Sequence, residues 1–306
     1  MDIQVTINQM AVIFIIMAVG YVIGKAKLLT SEGNKILSRI VLFVAVPCTI
    51  LFSVLTGNMD VSVEDTVMFL LFSMLTFAIA FAISIPAVRL MGGDKANHGL
   101  FNYITVFSNS VFMGFPVIIA IFGIEAAFYL ALFSVVFNAL TFSVGIFMIS
   151  GKGTTFDPKR LINSTLITAL IAIPLAITGF RAPSVVTEAI GFIGSMTTPG
   201  AMLVIGASLA HAKVKDVLSE WRIIPITVLK LVVVPVVTWL ILRMIIADEL
   251  MLGVLVVLAA MPTAAMAAML AVEYKGNERA ASAGVLLTTL LCCVTVPVLV
   301  YFLFAG

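Results

Sequence analysis

The sequence predicts an all-α polytopic membrane protein: ten transmembrane helices in two inverted five-helix repeats, with broken crossover helices in spans four and nine. Three observations predict it. The 306 residues are 62% hydrophobic and only 10% charged, against about 25% charged in soluble domains. Apolar runs near the roughly 20 residues that a spanning helix needs recur along the whole chain. The basic residues alternate from loop to loop in the way that topology demands.

The first span is predicted over 7–23 and closes on Gly24-Lys25-Ala26-Lys27. Asp2 is the one charged residue before its apolar run, with no positive region and no Ala-x-Ala near its end, so it reads as a span and not a removed signal peptide. The next four spans are 36–55 (with Pro47), 66–90, 100–122 and 126–150. After the polar link 151–159 come 161–180, 186–210 (with Pro199), 223–246, 250–272 and 280–304.

The odd-numbered loops hold Lys25, Lys27, Lys35, Arg39, Arg89, Lys95, Lys152, Lys159, Arg160, Lys213, Lys215, Arg222, Lys275 and Arg279, which is 14 of the 17 basic residues. The even loops hold Arg181 and Arg243, with Asp60, Glu64, Asp65, Asp248 and Glu249 beside them. Positive charge stays cytoplasmic, so a multi-pass protein of the cell inner (plasma) membrane with both termini outside is predicted. The remaining basic residue, Lys230, falls inside the eighth span. Two readings stand for it: an anion-attracting or gating role, or snorkelling toward the headgroups near Arg222.

The fourth span carries Phe107-Ser108-Asn109-Ser110-Val111-Phe112-Met113-Gly114-Phe115-Pro116. Proline removes a donor and clashes with the preceding turn, which predicts a kink or opening near Met113 to Pro116. Backbone freed at membrane depth is tolerated only where protein buries it or a wet cavity receives it.

The two halves echo each other. Residues 123–127 align with 276–280 at an offset of 153, and Pro47 aligns with Pro199 at 152. The offset of 153 lays Asn109 on Pro262, Ser110 on Thr263, Met113 on Met266 and Gly114 on Ala267. A second interruption is therefore predicted at Ala260-Met261-Pro262-Thr263-Ala264-Ala265. Five spans per half invert the second repeat, giving repeats over 1–150 and 151–306. Two broken helices meeting at mid-depth would aim helix ends and free amides at a shared anion. Asn109 and Thr263 would add side-chain hydrogen bonds, with Asn138 and Asn102 as further candidates. Asn138 reads equally well as an interhelical hydrogen bond.

With Asn109, Gly114-Phe115-Pro116 and the paired Pro262 in place, the chain resembles the auxin efflux carrier family over its whole length. That family includes plant auxin exporters and bacterial permeases for malonate, malate and similar acids, and the short link 151–159 is similar to the bacterial members. The resemblance implies the fold shared with bile acid–sodium symporters. A panel or scaffold domain would come from spans 1, 2, 6 and 7, and a crossover transport domain from spans 3–5 and 8–10. It also implies elevator-type motion and often a homodimer. By that likeness the substrate site is lined by Asn109, Ser110, Gly114, Pro116, Asn138, Met261, Pro262 and Thr263. Apart from the likeness, the repeat-related positions of Pro47 and Pro199 suggest bends that shape the panel domain, with Thr49 and Ser53 facing the path. The glutamate that serves sodium in bile acid symporters has no counterpart, since no carboxylate lies between Glu249 and Glu273.

Weaker signals point away from other chemistries. His98 and His211 lie at loop edges without metal-ligand spacing. Cys48, Cys292 and Cys293 read as small core residues. Gly20-x-x-x-Gly24 reads as intramolecular helix packing. No metal and no cofactor is expected. A net charge of +2 argues against a nucleic-acid partner, and the spans offer no nucleophile–base pair for an enzyme. The expected function is secondary transport of small organic anions, mono- or dicarboxylates. A passive anion channel and a sodium-coupled organic-acid symporter are the alternatives. The expected partners are the substrate, the lipid bilayer and a second copy of the chain.

Overall fold

The computed structural model describes residues 3–56, 62–92, 95–150, 163–211 and 220–304. The expected link 151–159, the start of the sixth span, Asp60, and the basic residues Lys152, Lys159, Arg160, Lys213 and Lys215 lie outside the described residues. Among those described the protein is all-helical, and the one departure is an isolated antiparallel bridge between Ser108 and Thr263.

The helices are α1 (Ile3–Lys25), α2 (Ser31–Thr56), α3 (Val63–Leu90), α4 (His98–Val106), α5 (Ser110–Phe122), α6 (Ala126–Ser150), α7 (Ser164–Thr178), α8 (Ser184–Gly194), α9 (Thr197–His211), α10 (Ile223–Leu242), α11 (Glu249–Ala260), α12 (Met266–Glu273) and α13 (Glu278–Phe304). Seven stretches among the described residues are long and apolar enough to cross a bilayer: α1, α2, α3, α6, α8 with α9, α10 and α13. Three shorter apolar helices accompany them: α5, α7 and α11. Large apolar side chains stand outward, among them Ile15, Val22, Phe192, Met244 and Phe302. So much exposed apolar surface suits contact with lipid, not water.

Proline chemistry shapes three of these helices. Pro47, Pro116 and Pro235 are each preceded by a five-residue π turn, at Val41–Ala45, Ser110–Gly114 and Leu229–Val233. Each turn ends two residues before its proline. A proline has no N–H and its ring excludes the carbonyl four residues back, so the ladder slips by one residue instead of breaking. Pro86, Pro174 and Pro297 sit inside helices.

The chain divides into two compact units. The first comprises Met1–Leu71, Ser110–Val136 and Ile162–His211. In it α1 lies directly against α9. A Cβ on Gly20 would stand 2.7 Å from the Leu203 carbonyl oxygen, and one on Gly206 would overlap the carbonyl oxygen of Met17. The Gly20/Gly24 pair is thus used for packing within the chain, as its spacing suggested. Thr49 ties α2 to the α8–α9 junction, with Oγ1 at 2.9 Å from Gly194 O and 2.7 Å from Thr197 Oγ1.

The second unit comprises Phe72–Asn109, Phe137–Leu161 and Ala212–Gly306. Its core gathers Val88 from α3, Leu100, Phe101 and Ile104 from α4, Ile223 and Ile226 from α10, Ala271 from α12, and Ala280, Ala281 and Ala283 from α13. The alanines let α12 and α13 approach closely, since small residues dominate helix contacts in membranes.

Candidate functional site

In the second unit, two helices stop where their backbones cross. Helix α4 ends at Val106, and Phe107 turns extended with φ −92° and ψ 114°. Helix α11 ends at Ala260, and Met261 is extended with φ −63° and ψ 150°. The latter follows from Pro262, because the residue before a proline is pushed out of the helical region. The two extended stretches pair antiparallel around Ser108 and Thr263. Asn109 N–H donates to Pro262 O at 2.7 Å, and Ala264 N–H donates to Phe107 O at 2.9 Å. Pro262, with no donor of its own, needs only to accept.

This geometry differs from the sequence expectation in two ways. Where a kink or opening was expected near Met113–Pro116, the ladder is distorted into the π turn Ser110–Gly114, which absorbs the missing donor of Pro116, and the span opens earlier, at Phe107–Asn109. The second interruption falls at Met261–Ala265, as expected. Helix ends with free amides were expected at the two breaks, and at the crossing the amides of Asn109 and Ala264 are taken up by the pairing.

Thr263 is fully buried and fastens the crossing. Its hydroxyl donates to Ile104 O at 2.8 Å, and its N–H donates to Thr288 Oγ1 at 3.1 Å. Thr288 in turn donates to Gly284 O at 2.7 Å. One threonine therefore joins α4, the α11–α12 break and α13.

Lys230 sits in the π turn of α10 and is 0% exposed. It does not reach toward the helix end; its ammonium donates to Ser108 Oγ at 2.5 Å, directly at the crossing. Aromatic rings gather around Phe107, the residue before Ser108. Phe107 stacks on Tyr103 at 4.6 Å between ring centres and meets Phe77, Phe81 and Phe137 at 5.9, 6.0 and 6.0 Å. Charges act more strongly in such a low-dielectric setting. Among the described residues no cluster of three His, Cys, Asp or Glu exists that could hold a metal.

Of the sequence candidates, Asn102, Asn109, Asn138, Met261, Pro262, Thr263 and Lys230 lie in the second unit, and Thr49, Ser53, Ser110, Gly114 and Pro116 in the first. The crossing brings Asn109, Pro262, Thr263 and Lys230 together. Asn138 is buried, at 9% exposure. Asn102 is engaged elsewhere, its Oδ1 accepting from Ser84 Oγ at 2.7 Å. Ser53 donates to Ile50 O within its own helix, and Thr49 is spent on the α8–α9 junction. Two participants were not singled out from sequence. Ser108 was legible as the neighbour of Asn109 in the polar run, whereas Thr288 lies in an ordinary apolar helix and carries no local signal.

A family profile described as membrane transport protein matches residues 5–165 and 156–300. An uncharacterized transporter of Methanocaldococcus jannaschii is 27% identical over 299 residues, covering 94% of this chain and 95% of that protein. A protein of Rhizobium meliloti named "Putative malonate transporter" is 26% identical over 299 residues, covering 92% and 91%. The uncharacterized transporter YfdV of Escherichia coli is 22% identical over 306 residues, covering 96% of each.

Proposed function

We propose, on the premise that this chain belongs to the membrane transport protein family of auxin efflux carriers, that it is a secondary transporter of small organic anions, mono- or dicarboxylates. One observation carries the reading: two interrupted helices cross at a buried cation, with Asn109 beside it. Interrupted helices are where secondary transporters hold substrate, and a buried lysine at the crossing suits a carboxylate. Malonate is the first acid to test, on the name of the Rhizobium relative.

The three shorter apolar helices complete ten spans with the seven long ones, arranged as inverted repeats over 1–150 and 151–306. The panel of spans 1, 2, 6 and 7 holds still while the crossover bundle of spans 3–5 and 8–10 carries the anion in an elevator motion. Both termini face outward from the inner membrane, and two copies associate through the panel. Asn109, Asn138, Met261 and Pro262 line the anion, and Ser110, Gly114 and Pro116 lie next along the chain. An inside-negative potential contributes about 2.3 kcal/mol per charge per 100 mV, which drives an uncoupled anion outward.

Counterflow in proteoliposomes tests the reading. Unlabelled malonate inside should accelerate entry of labelled malonate, with saturation. Flux that rises linearly with concentration and shows no acceleration would make the protein a channel.

A further inference from the structure

We propose that Lys230 is the fixed counter-charge of the transport site: its ammonium, tethered to Ser108 at the crossing, neutralises the substrate carboxylate, so that no co-bound metal cation is needed. This rests on the carrier reading above and deepens it.

The donor inventory at the crossing points to an anion. An ammonium has three N–H donors and a serine hydroxyl has one. Lys230 uses one N–H on Ser108 Oγ. Among the described residues, neither its other two nor the Ser108 proton meets an acceptor. No carboxylate among them pairs with the ammonium either. Three donors, on a side chain that is cationic when protonated, thus share a buried place, with Lys230 at 0% and Ser108 at 2% exposure. Burying a charge without a partner is costly, and a bound carboxylate supplies both the missing charge and the missing acceptors.

The neighbouring donors are already spent and leave little for an anion. The pairing of Asn109 with Pro262 and of Ala264 with Phe107 leaves the strands occupied with one another. Thr263 has spent its proton on Ile104. The electrostatic share of anion binding therefore falls to Lys230. The π turn Leu229–Val233, set by Pro235, fixes where that side chain leaves its helix.

The test uses the purified full chain, with malonate, malate, lactate, pyruvate and indole-3-acetate as probes. Thermal stability is measured with and without each acid, and exchange is measured in proteoliposomes in sodium and in choline media. The wild type should be stabilised by at least one acid and exchange it equally in both media. Lys230→Met should melt no lower than wild type without acid, because it removes an uncompensated charge. It should lose the acid-induced stabilisation, and its exchange should fall about tenfold or more. Lys230→Arg, which keeps the charge, should retain part of both. Should Lys230→Met fail to fold, Lys230→Arg and the choline experiment still decide.

Full acid-induced stabilisation and exchange in Lys230→Met would make Lys230 a packing residue and overturn the inference while leaving the carrier reading intact. Exchange that stops in choline would assign the counter-charge to sodium and overturn it likewise. A wild type that none of the acids stabilises and that exchanges none of them would overturn both.

Discussion

The main-chain N–H of Asn109 donates to the carbonyl of Pro262 across 2.7 Å, joining the two residues that the internal offset of 153 superposes. Each helix interruption frees backbone groups that an apolar setting cannot satisfy, and here each supplies partners for the other. The crossing is thus a mutual arrangement: neither break is tolerable alone.

Thr263→Val keeps the shape of the side chain but removes its donor, leaving the Ile104 carbonyl buried without its partner. The expected loss is about 1–3 kcal/mol of stability, read as a lowered melting temperature of the purified protein. Thr178→Val, at an exposed hydroxyl bonded within its own helix, should leave the melting temperature almost unchanged.

Gly206→Ala should destabilise by about 1–3 kcal/mol through overpacking, because its Cβ would overlap the Met17 carbonyl and stand 2.6 Å from Tyr21 N. Gly276→Ala is the control, its nearest neighbour being Ala271 Cα at 3.6 Å. Equal melting temperatures for the two variants would refute the close approach of α1 and α9.

Pro235→Ala should relax the π turn that carries Lys230. Removing one residue's slip rotates the helix by about 100°, which turns the ammonium away from Ser108. Malonate exchange is expected to drop about tenfold while thermal stability is kept or gained. Pro297→Ala, in a helix without such a turn before its proline, should exchange nearly as wild type.

Asn109→Ala removes the amide side chain at the crossing but leaves the backbone bond to Pro262 in place. Folding should persist, and the affinity for the transported acid should fall about tenfold, equivalent to about 1.4 kcal/mol. Isothermal titration would check it, and an unchanged affinity would remove Asn109 from the site.

Much of the site was legible because its causes are local. Prolines 116 and 262 announce interruptions wherever the chain folds, and Asn109 and Lys230 are conspicuous because polar groups are rare in apolar spans. What was not legible is how each interruption resolves. Pro116 bends the ladder into a π turn and the strand opens several residues earlier, a choice made by the partner strand. Thr49 and Ser53 look like path-lining residues in sequence, yet each spends its hydroxyl on a nearby carbonyl or hydroxyl.

The sequence by itself determined that this is a helical membrane protein, roughly where its spans lie, which two are interrupted, and that glycines of the first span pack against another helix. Hydropathy, proline geometry and side-chain size act within a few residues, so they can be read along the chain. Only the tertiary structure decided that Ser108 faces Thr263, that Lys230 is buried against Ser108, and that the freed amides of Asn109 and Ala264 are already taken. Those outcomes depend on which distant backbone arrives opposite, and hydrogen-bond partners separated by more than a hundred residues leave no periodic trace in a single sequence.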